Sequence, residues 1–364
     1  MDAQRLKDNF AKVAQHGDAV ALFFYSHLFL AHPELRDMFP VAMATTRDRL
    51  LSALGQIVSD ADNVDALVPY LRDLGRDHRK FGAVAGHFPA VGASLVATLE
   101  YFSGRDWTEE LRRDWTEAYT LVAGGMSEAT EAMEGPAWWD ATVTGFERRT
   151  MDIAVLRVAP SQPYPYQPGQ SASLECDVRP RLWRFYSMAN APREDGTLDF
   201  HVRAVDGGGV SSVLGRYLPI GSRLRLGPPI GSFTFDAASR RDVVMAAGGT
   251  GLAPLKAITE QVASMGSPPR VHLLFGARTA EELYDLPQLE KMAAASPWLT
   301  VTACVSDEPC GYEQGTVADV MARCGTWQAW DAYVCGSSGM VAATTRYLAA
   351  AGTPRERIFV EDFG

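Results

Sequence analysis

The sequence predicts a multidomain chain: an all-α domain, then an antiparallel β-barrel, then an α/β domain on a parallel sheet. Three observations carry this prediction. Residues 1 to about 135 read as helices and nothing else, with apolar side chains recurring at helical spacing. Past Gly135-Pro136 the apolar period becomes two. From about Arg241, short continuous apolar runs alternate with helical segments. The boundaries read as 1–135, 136–238 and 239–364. A chain of 364 residues is expected to hold two or three domains.

In the first region, Leu50, Leu54, Ile57 and Val58 recur at helical spacing, and Thr45 with Asp48 predicts a capping box at that helix's start. Leu67, Leu71, Leu74, His78 and Phe81 form a second stripe. Leu111, Trp115, Ala118, Val122 and Met126 form a third, entered through Thr108. Pro33 stands where a short helix, Pro33 to Phe39, can begin, because proline is favoured in a first turn.

In the second region, Ala172, Leu174, Cys176 and Val178 alternate with Ser173, Glu175 and Asp177. Leu198, Phe200, Val202 and Ala204 alternate with Asp199, His201 and Arg203. Period two between Pro/Gly-rich turns predicts antiparallel strands with one face buried, closed into a small barrel. In the third, Val243 to Ala247, Val271 to Phe275, Leu299 to Val305, Ala332 to Cys335 and Ile358 to Val360 read as buried parallel strands between helices, in a sheet covered on both faces.

Composition narrows the function classes. Apolar residues make up 47% and charged residues 21%, the profile of a globular chain with real cores. A formal charge of −10 and the lack of any basic run argue against nucleic acid as a partner. The longest apolar stretch, Ala19 to Ala31, is shorter than the roughly 18 residues a span needs, so no membrane span is expected. The mixed charges of Asp2, Arg5, Lys7 and Asp8 do not read as a signal peptide, and a cytoplasmic protein is expected. Five cysteines without a C-x-x-C pair read as reduced thiols, not a disulfide frame or zinc site.

His78 lies on an apolar helix face. A histidine there is either a hydrogen-bonded core residue or a ligand, and neutral imidazole is the usual protein ligand of haem iron in a helical pocket. The segment His32-Pro33-Glu34-Leu35-Arg36-Asp37-Met38-Phe39 follows Phe24-Tyr25 and precedes Asp77-His78-Arg79-Lys80-Phe81. Together these resemble the globin domain of the bacterial flavohaemoglobins. The resemblance implies haem b with His78 as the proximal iron ligand. It implies that Phe39 packs on the porphyrin, that Tyr25 donates a hydrogen bond to dioxygen, and that Thr46 and Leu50 line the distal side. Thr46 stands where that family has a distal glutamine, Phe88 where it has a proximal tyrosine, and Thr130 near a proximal glutamate.

Arg184-Phe185-Tyr186-Ser187 fits an R-x-Y-S pattern just before a strand pair; alone it reads more readily as a cationic, aromatic turn. Gly207-Gly208-Gly209-Val210-Ser211-Ser212 opens a short helix expected over Val213 to Leu218, and N–H groups at a helix start beside an arginine suit a pyrophosphate. Gly249-Thr250-Gly251-Leu252-Ala253-Pro254 follows a buried strand, with Pro254 in place of a third glycine, and is either a tight turn or a nucleotide loop. Cys335-Gly336-Ser337-Ser338-Gly339-Met340 is a second strand-to-glycine turn, and the chain closes on Glu361-Asp362-Phe363-Gly364. In this order the motifs are similar to those of ferredoxin-reductase-like flavoproteins. That resemblance implies that Arg184 and Ser211, with Gly209 and Val210, hold the FAD pyrophosphate, that Tyr186 stacks on the isoalloxazine, and that Ser187 sits near its N5. It implies a nicotinamide nucleotide, NADH or NADPH, at Gly249, Thr250, Gly251, Pro254, Cys335 and Gly336, with Phe363 shielding the flavin face.

The joint resemblance implies an NAD(P)H-dependent oxidoreductase passing electrons through FAD to haem, with dioxygen and nitric oxide as substrates and nitrate as product. Two alternatives stay open. One is a gas-binding or sensing globin kept ferrous by its own reductase. The other is an electron-transfer reductase whose helical domain holds no haem.

Overall fold

The computed structural model describes residues 1–131 and 135–363, so Gly364 of the closing motif lies outside the described residues. The chain divides into two compact units, Met1–Trp138 and Trp139–Gly364.

The first unit is helical: α1 (Ala3–Ala14), α2 (Asp18–Ala31), α3 (Ala44–Ser59), α4 (Val64–Arg79), α5 (Phe88–Ser103) and α6 (Glu109–Glu131). Its core gathers Leu6, Val13, Phe24, Leu28, Leu99 and Trp115, all nearly or fully buried. Pro33 opens a 3₁₀ turn, Pro33–Met38. Thr108 caps α6 by accepting the Leu111 N–H at 3.2 Å, as its placement predicted. The capping box expected at Thr45 does not form. The helix starts two residues earlier, with Met43 at the N-cap and no side-chain cap bond. Thr45 is therefore already inside the first turn, where its hydroxyl is misplaced for capping. No helix among the described residues is long and apolar enough to cross a membrane.

The second unit begins with β1 (Trp139–Arg148), β2 (Ile153–Pro160), β3 (Ser171–Cys176), β4 (Arg179–Ser187) and β5 (Leu198–Arg203), followed by the short helix α7 (Ser211–Arg216) and β6 (Arg223–Leu226). The strands pair antiparallel in the order β4-β3-β6-β1-β2-β5, and a bridge between Met188 and Phe200 links the two edges into a barrel. The expectation of one buried face fails here. All six residues of β3 are buried, as are the first five of β5, so Ser173, Glu175, Asp199 and His201 are enclosed with their apolar neighbours. Each of the last three finds a polar partner, which offsets the cost of removing it from water. Glu175 accepts from the Arg181 N–H, Asp199 accepts from Arg157 at 2.7 and 2.9 Å, and His201 Nδ1 shares a 2.7 Å hydrogen bond with the Tyr284 hydroxyl.

The same unit continues with β7 (Val243–Gly248), α8 (Leu252–Ala263), β8 (Val271–Ala277), α9 (Leu286–Ala294), β9 (Leu299–Val305), β10 (Glu313–Gln314), α10 (Val317–Cys324), β11 (Asp331–Gly336), α11 (Ser338–Ala350) and β12 (Ile358–Asp362). Every strand pair is parallel, in the order β10-β9-β8-β7-β11-β12. Val243, Met245 and Ala247 enter one apolar core while Val244 and Ala246 enter another. A strand with a core on each face must be apolar throughout, which is why the run shows no alternation. Succession runs outward from β7 through β8 and β9, then returns to β11 on its other side. The switch point therefore lies between the C-terminal ends of β7 and β11, the place where open α/β sheets bind ligands.

Candidate functional site

At that switch point the two glycine turns meet. Gly249–Gly251 forms a 3₁₀ turn between β7 and α8, with Gly249 at φ +54°. A Cβ on Gly251 would lie 2.3 Å from the Cys335 carbonyl oxygen, so only glycine lets this turn close against the end of β11. Thr250 is the centre of the turn, and Pro254 is buried in the first turn of α8, where its missing N–H costs nothing. The chain end returns to the same place. β12 pairs with β11 up to Asp362 opposite Gly336, and the Phe363 N–H donates to the Gly336 carbonyl at 3.1 Å. Phe363 is 44% exposed, an aromatic side chain held at the strand ends.

Glu361 ties this edge to the barrel. Its carboxylate accepts from Ser171 Oγ at 3.1 Å and from Ser187 Oγ at 3.3 Å, and Cys335 Sγ lies 3.9 Å away. Burial pushes the Glu361 carboxyl up from its usual range, with the two serines pulling it back. Burial likewise raises the Cys335 thiol. Ser187, Cys335 and Glu361, separated by up to 174 residues, thus form one enclosed proton-bearing cluster.

The R-x-Y-S residues form the last four positions of β4, a correction to the placement before a strand pair. Strand alternation puts Arg184 and Tyr186 on one face and Ser187 on the other. Tyr186 packs against the barrel core and Arg184 Nη1 donates to the Trp183 carbonyl at 2.9 Å. The glycine loop lies close by, since a Cβ on Gly209 would touch Leu182 of β4 at 3.4 Å. Val210 is buried, and Ser211 Oγ accepts the Val205 N–H at 3.3 Å. Helix α7 begins at Ser211 and not at Val213, because Ser211 and Ser212 turn their hydroxyls back to Val205 and let the backbone coil at once.

Sequence reasoning missed two residues here. Glu361 stood only as part of the tail, and nothing in the sequence joins it to Ser171 and Ser187. Arg203, the last residue of β5, lies 3.7 Å from where a Gly249 Cβ would stand. Its Nε and Nη2 are buried without hydrogen bonds, and Asp152 stands 3.3 Å away. A half-buried guanidinium with two enclosed nitrogens beside a glycine turn suits an anion. Its charge at the end of a strand leading to a glycine-rich loop was the available signal.

In the helical unit, His78 Nδ1 lies 2.7 Å from the Leu74 carbonyl. A carbonyl only accepts, so Nδ1 carries the proton and Nε2 keeps its lone pair. Burial lowers the His78 pKa, which holds the ring neutral. A neutral imidazole with its far nitrogen bare and its near one anchored is what an iron site asks of a ligand. Tyr25, Phe39 and Leu50 belong to one apolar cluster, with the Tyr25 and Phe39 rings 5.5 Å apart. The Tyr25 hydroxyl has only a long contact, 3.4 Å, to the Thr46 carbonyl, and burial raises its pKa, so it remains a donor. Neither Thr130 nor Phe88 touches His78 in the manner of an orienting acid. Thr130 Oγ1 donates to Met126 and Gly75 carbonyls, and the Phe88 carbonyl accepts from Tyr119.

Family models match in the same order as the folded parts: globin over residues 22–126, oxidoreductase FAD-binding domain over 140–235, and oxidoreductase NAD-binding domain over 245–346. The reductase component of the naphthalene 1,2-dioxygenase system of Pseudomonas putida is 34% identical, covering 65% of this chain and 72% of its own. A flavohemoprotein of Rhizobium meliloti (strain 1021) is 30% identical, covering 74% of this chain and 72% of its own. The crystal structure of a flavohemoglobin from Malassezia yamatoensis with bound FAD and heme superposes with a TM-score of 0.81 at 18% identity, over 100% of this chain and 98% of that one. The reductase likeness alone leaves the N-terminal helices unexplained. A globin domain followed by FAD- and NAD-binding oxidoreductase domains accounts for all of them, and the chain belongs to the flavohemoprotein family.

Proposed function

We propose that this flavohemoprotein is a nitric oxide dioxygenase driven by NADH or NADPH. The observation that carries the reading is His78: half-buried, held neutral, and anchored through Nδ1, which leaves the Nε2 lone pair for a ligand bond. When bound, the groups would supply hydride from the nicotinamide, two-to-one-electron conversion at FAD, and iron chemistry at haem b that joins dioxygen and nitric oxide as nitrate. His78 would hold the iron. Phe39 would pack against the porphyrin, with Leu50 and Thr46 beside it. Tyr25 would donate a hydrogen bond from its hydroxyl to the dioxygen substrate, the long Thr46 contact being easily given up.

In the reductase unit, Arg184 with the loop Gly209-Val210-Ser211 would hold the FAD pyrophosphate. Tyr186 would pack on the flavin ring, and Ser187 would present its hydroxyl to the ring edge. The Gly249-Thr250-Gly251 turn, Pro254, Cys335 and Gly336 would receive the nicotinamide nucleotide, and Arg203 would meet its phosphates. The exposed Phe363 would cover the flavin face until the nicotinamide displaces it. Glu361 would buffer the proton on Ser187. Arg278, at the end of β8, is held by Glu282 at 2.6 Å, which leaves little charge for a 2′-phosphate and favours NADH.

The test is aerobic consumption of nitric oxide by the haem- and FAD-loaded protein with NADH, followed by electrode, with nitrate assayed as product. Equal amounts of nitric oxide lost and nitrate gained support the reading. If NADH reduces the haem yet nitric oxide persists, the reading fails. One observation favours a second reading, a gas-binding globin kept reduced by its own reductase. The acceptor of His78 Nδ1–H is a neutral carbonyl and not a carboxylate, so the ligand is less basic and favours reversible binding.

A further inference from the structure

Away from the nucleotide turns, a cleft of about 530 Å³ opens where barrel strands β1, β2 and β5 meet helices α8 and α9. That volume lies within the range of small-molecule sites. Its lining is mostly charged, and most of the charges pair with one another. Arg149 meets Glu147 at 2.9 Å, Lys256 meets Glu260 at 2.8 Å, and Arg157 and Arg193 share Asp199 at 2.7 and 2.6 Å. Asp199 is settled: burial alone would raise its pKa, but the two arginines hold it down to about 2.

Two lining residues are not settled in this way. Asp285 is the N-cap of α9, yet its side chain makes no cap bond. Its side chain is 1% exposed, and neither carboxylate oxygen has a hydrogen bond. The nearest cation is Arg149 Nη2 at 3.4 Å, and Arg149 Nε is also buried without a partner. Burial raises the Asp285 pKa, with Lys256 and Arg149 only partly countering it. A buried carboxylate in this state is costly unless donors reach it. Lys291, two turns further along α9, also lines the cleft; it is exposed and has no ion pair among the described residues. The two stand roughly 9 Å apart along the axis, six residues at about 1.5 Å each.

We infer that this cleft binds a small zwitterionic amino compound, its ammonium directed inward to Asp285 and its carboxylate outward to Lys291. A simple cation suits the cleft less well, since five basic groups (Arg149, Arg157, Arg193, Lys256, Lys291) already face four acidic ones (Glu147, Asp199, Glu260, Asp285). A ligand carrying one charge of each sign completes both unsettled groups without changing that balance. The bound ammonium supplies the charge-assisted hydrogen bonds that Asp285 lacks. This site is independent of the flavin and haem assignments.

The probe is 6-aminohexanoate, titrated calorimetrically into the full-length protein loaded with haem and FAD, with hexanoate and hexylamine as comparators carrying one charge each. Saturable 1:1 binding of the zwitterion is expected, at least about tenfold tighter than either comparator. Lys291→Ala should weaken it by about tenfold, and Asp285→Asn should abolish it. Lys291 is exposed, so its variant decides the matter even if Asp285→Asn does not fold. No saturable binding, equal binding of all three probes, or unchanged affinity in Lys291→Ala overturns the proposal.

Discussion

The helical unit and the reductase unit solve opposite problems with buried polarity. At the candidate haem site of the helical unit the polar work falls to one histidine, anchored by a carbonyl four residues back on its own helix, and Tyr25, Phe39 and Leu50 together carry a single hydroxyl. In the reductase unit, buried polar groups are many and their partners are remote. Glu361 reaches Ser171 and Ser187 across 190 and 174 residues, and His201 reaches Tyr284 across 83. An iron ligand needs only a bare lone pair in a dry place, and local helix geometry can supply that. Handling hydride and anionic cofactors needs donors, acceptors and proton carriers at one point, and only distant segments can provide so many. The first kind of site should therefore break through one residue, and the second should weaken by degrees.

The largest effect is expected from His78→Ala, which should abolish stable haem binding and leave NADH-to-dye activity intact. Soret absorbance beside ferricyanide reduction checks both halves. Stoichiometric haem retained by the mutant would remove His78 as the ligand and end the contrast drawn above. Tyr25→Phe probes the hydroxyl that stands beside Phe39 and Leu50. A hydrogen bond to dioxygen contributes roughly 1–3 kcal/mol, so stopped-flow release should quicken by about 5- to 150-fold. An unchanged rate would mean that Tyr25 faces elsewhere.

Arg184→Ala should show the graded behaviour of the reductase unit. Losing a charge-assisted contact of roughly 1.5–3 kcal/mol weakens FAD binding by about one to two orders of magnitude. NADH-driven haem reduction should fall, and added FAD should partly restore it, because occupancy is what is lost. Identical FAD affinities in mutant and wild type would reduce Arg184 to a strand residue without a ligand.

The smallest effect is on stability against acid. Burial is the main cause holding the His201 pKa at about 3, below its usual 6.5. Above about pH 6.5 both folded and unfolded forms are neutral and stability is full. As pH falls from there toward 3, the unfolded chain takes up a proton that folded His201 refuses. Reductase stability should then drop by about 1.4 kcal/mol per pH unit from this group. Urea unfolding at pH 7, 6 and 5 should show the decline in wild type and a shallower one in His201→Gln. Parallel declines would place the acid sensitivity in other groups.

The sequence by itself determined the order and type of the three folded parts, because period 3.6, period two and unbroken apolar runs each report a different burial geometry. It also singled out Arg184, Ser211, Gly251 and His78 as candidates, because their motifs are local and the signal lies within a few residues. Tertiary structure alone decided the rest. It buried the polar alternates of β3 and β5, which period two placed in solvent, since a second layer covers the face that alternation leaves polar. It shifted the start of α3 away from Thr45, because packing set the helix boundary against the local cap. It brought Glu361 to Ser187 and Arg203 to Gly249, and it left Asp285 buried without a hydrogen bond. These contacts join residues far apart in the chain, and a periodic pattern records only which way a side chain faces, not what it meets there.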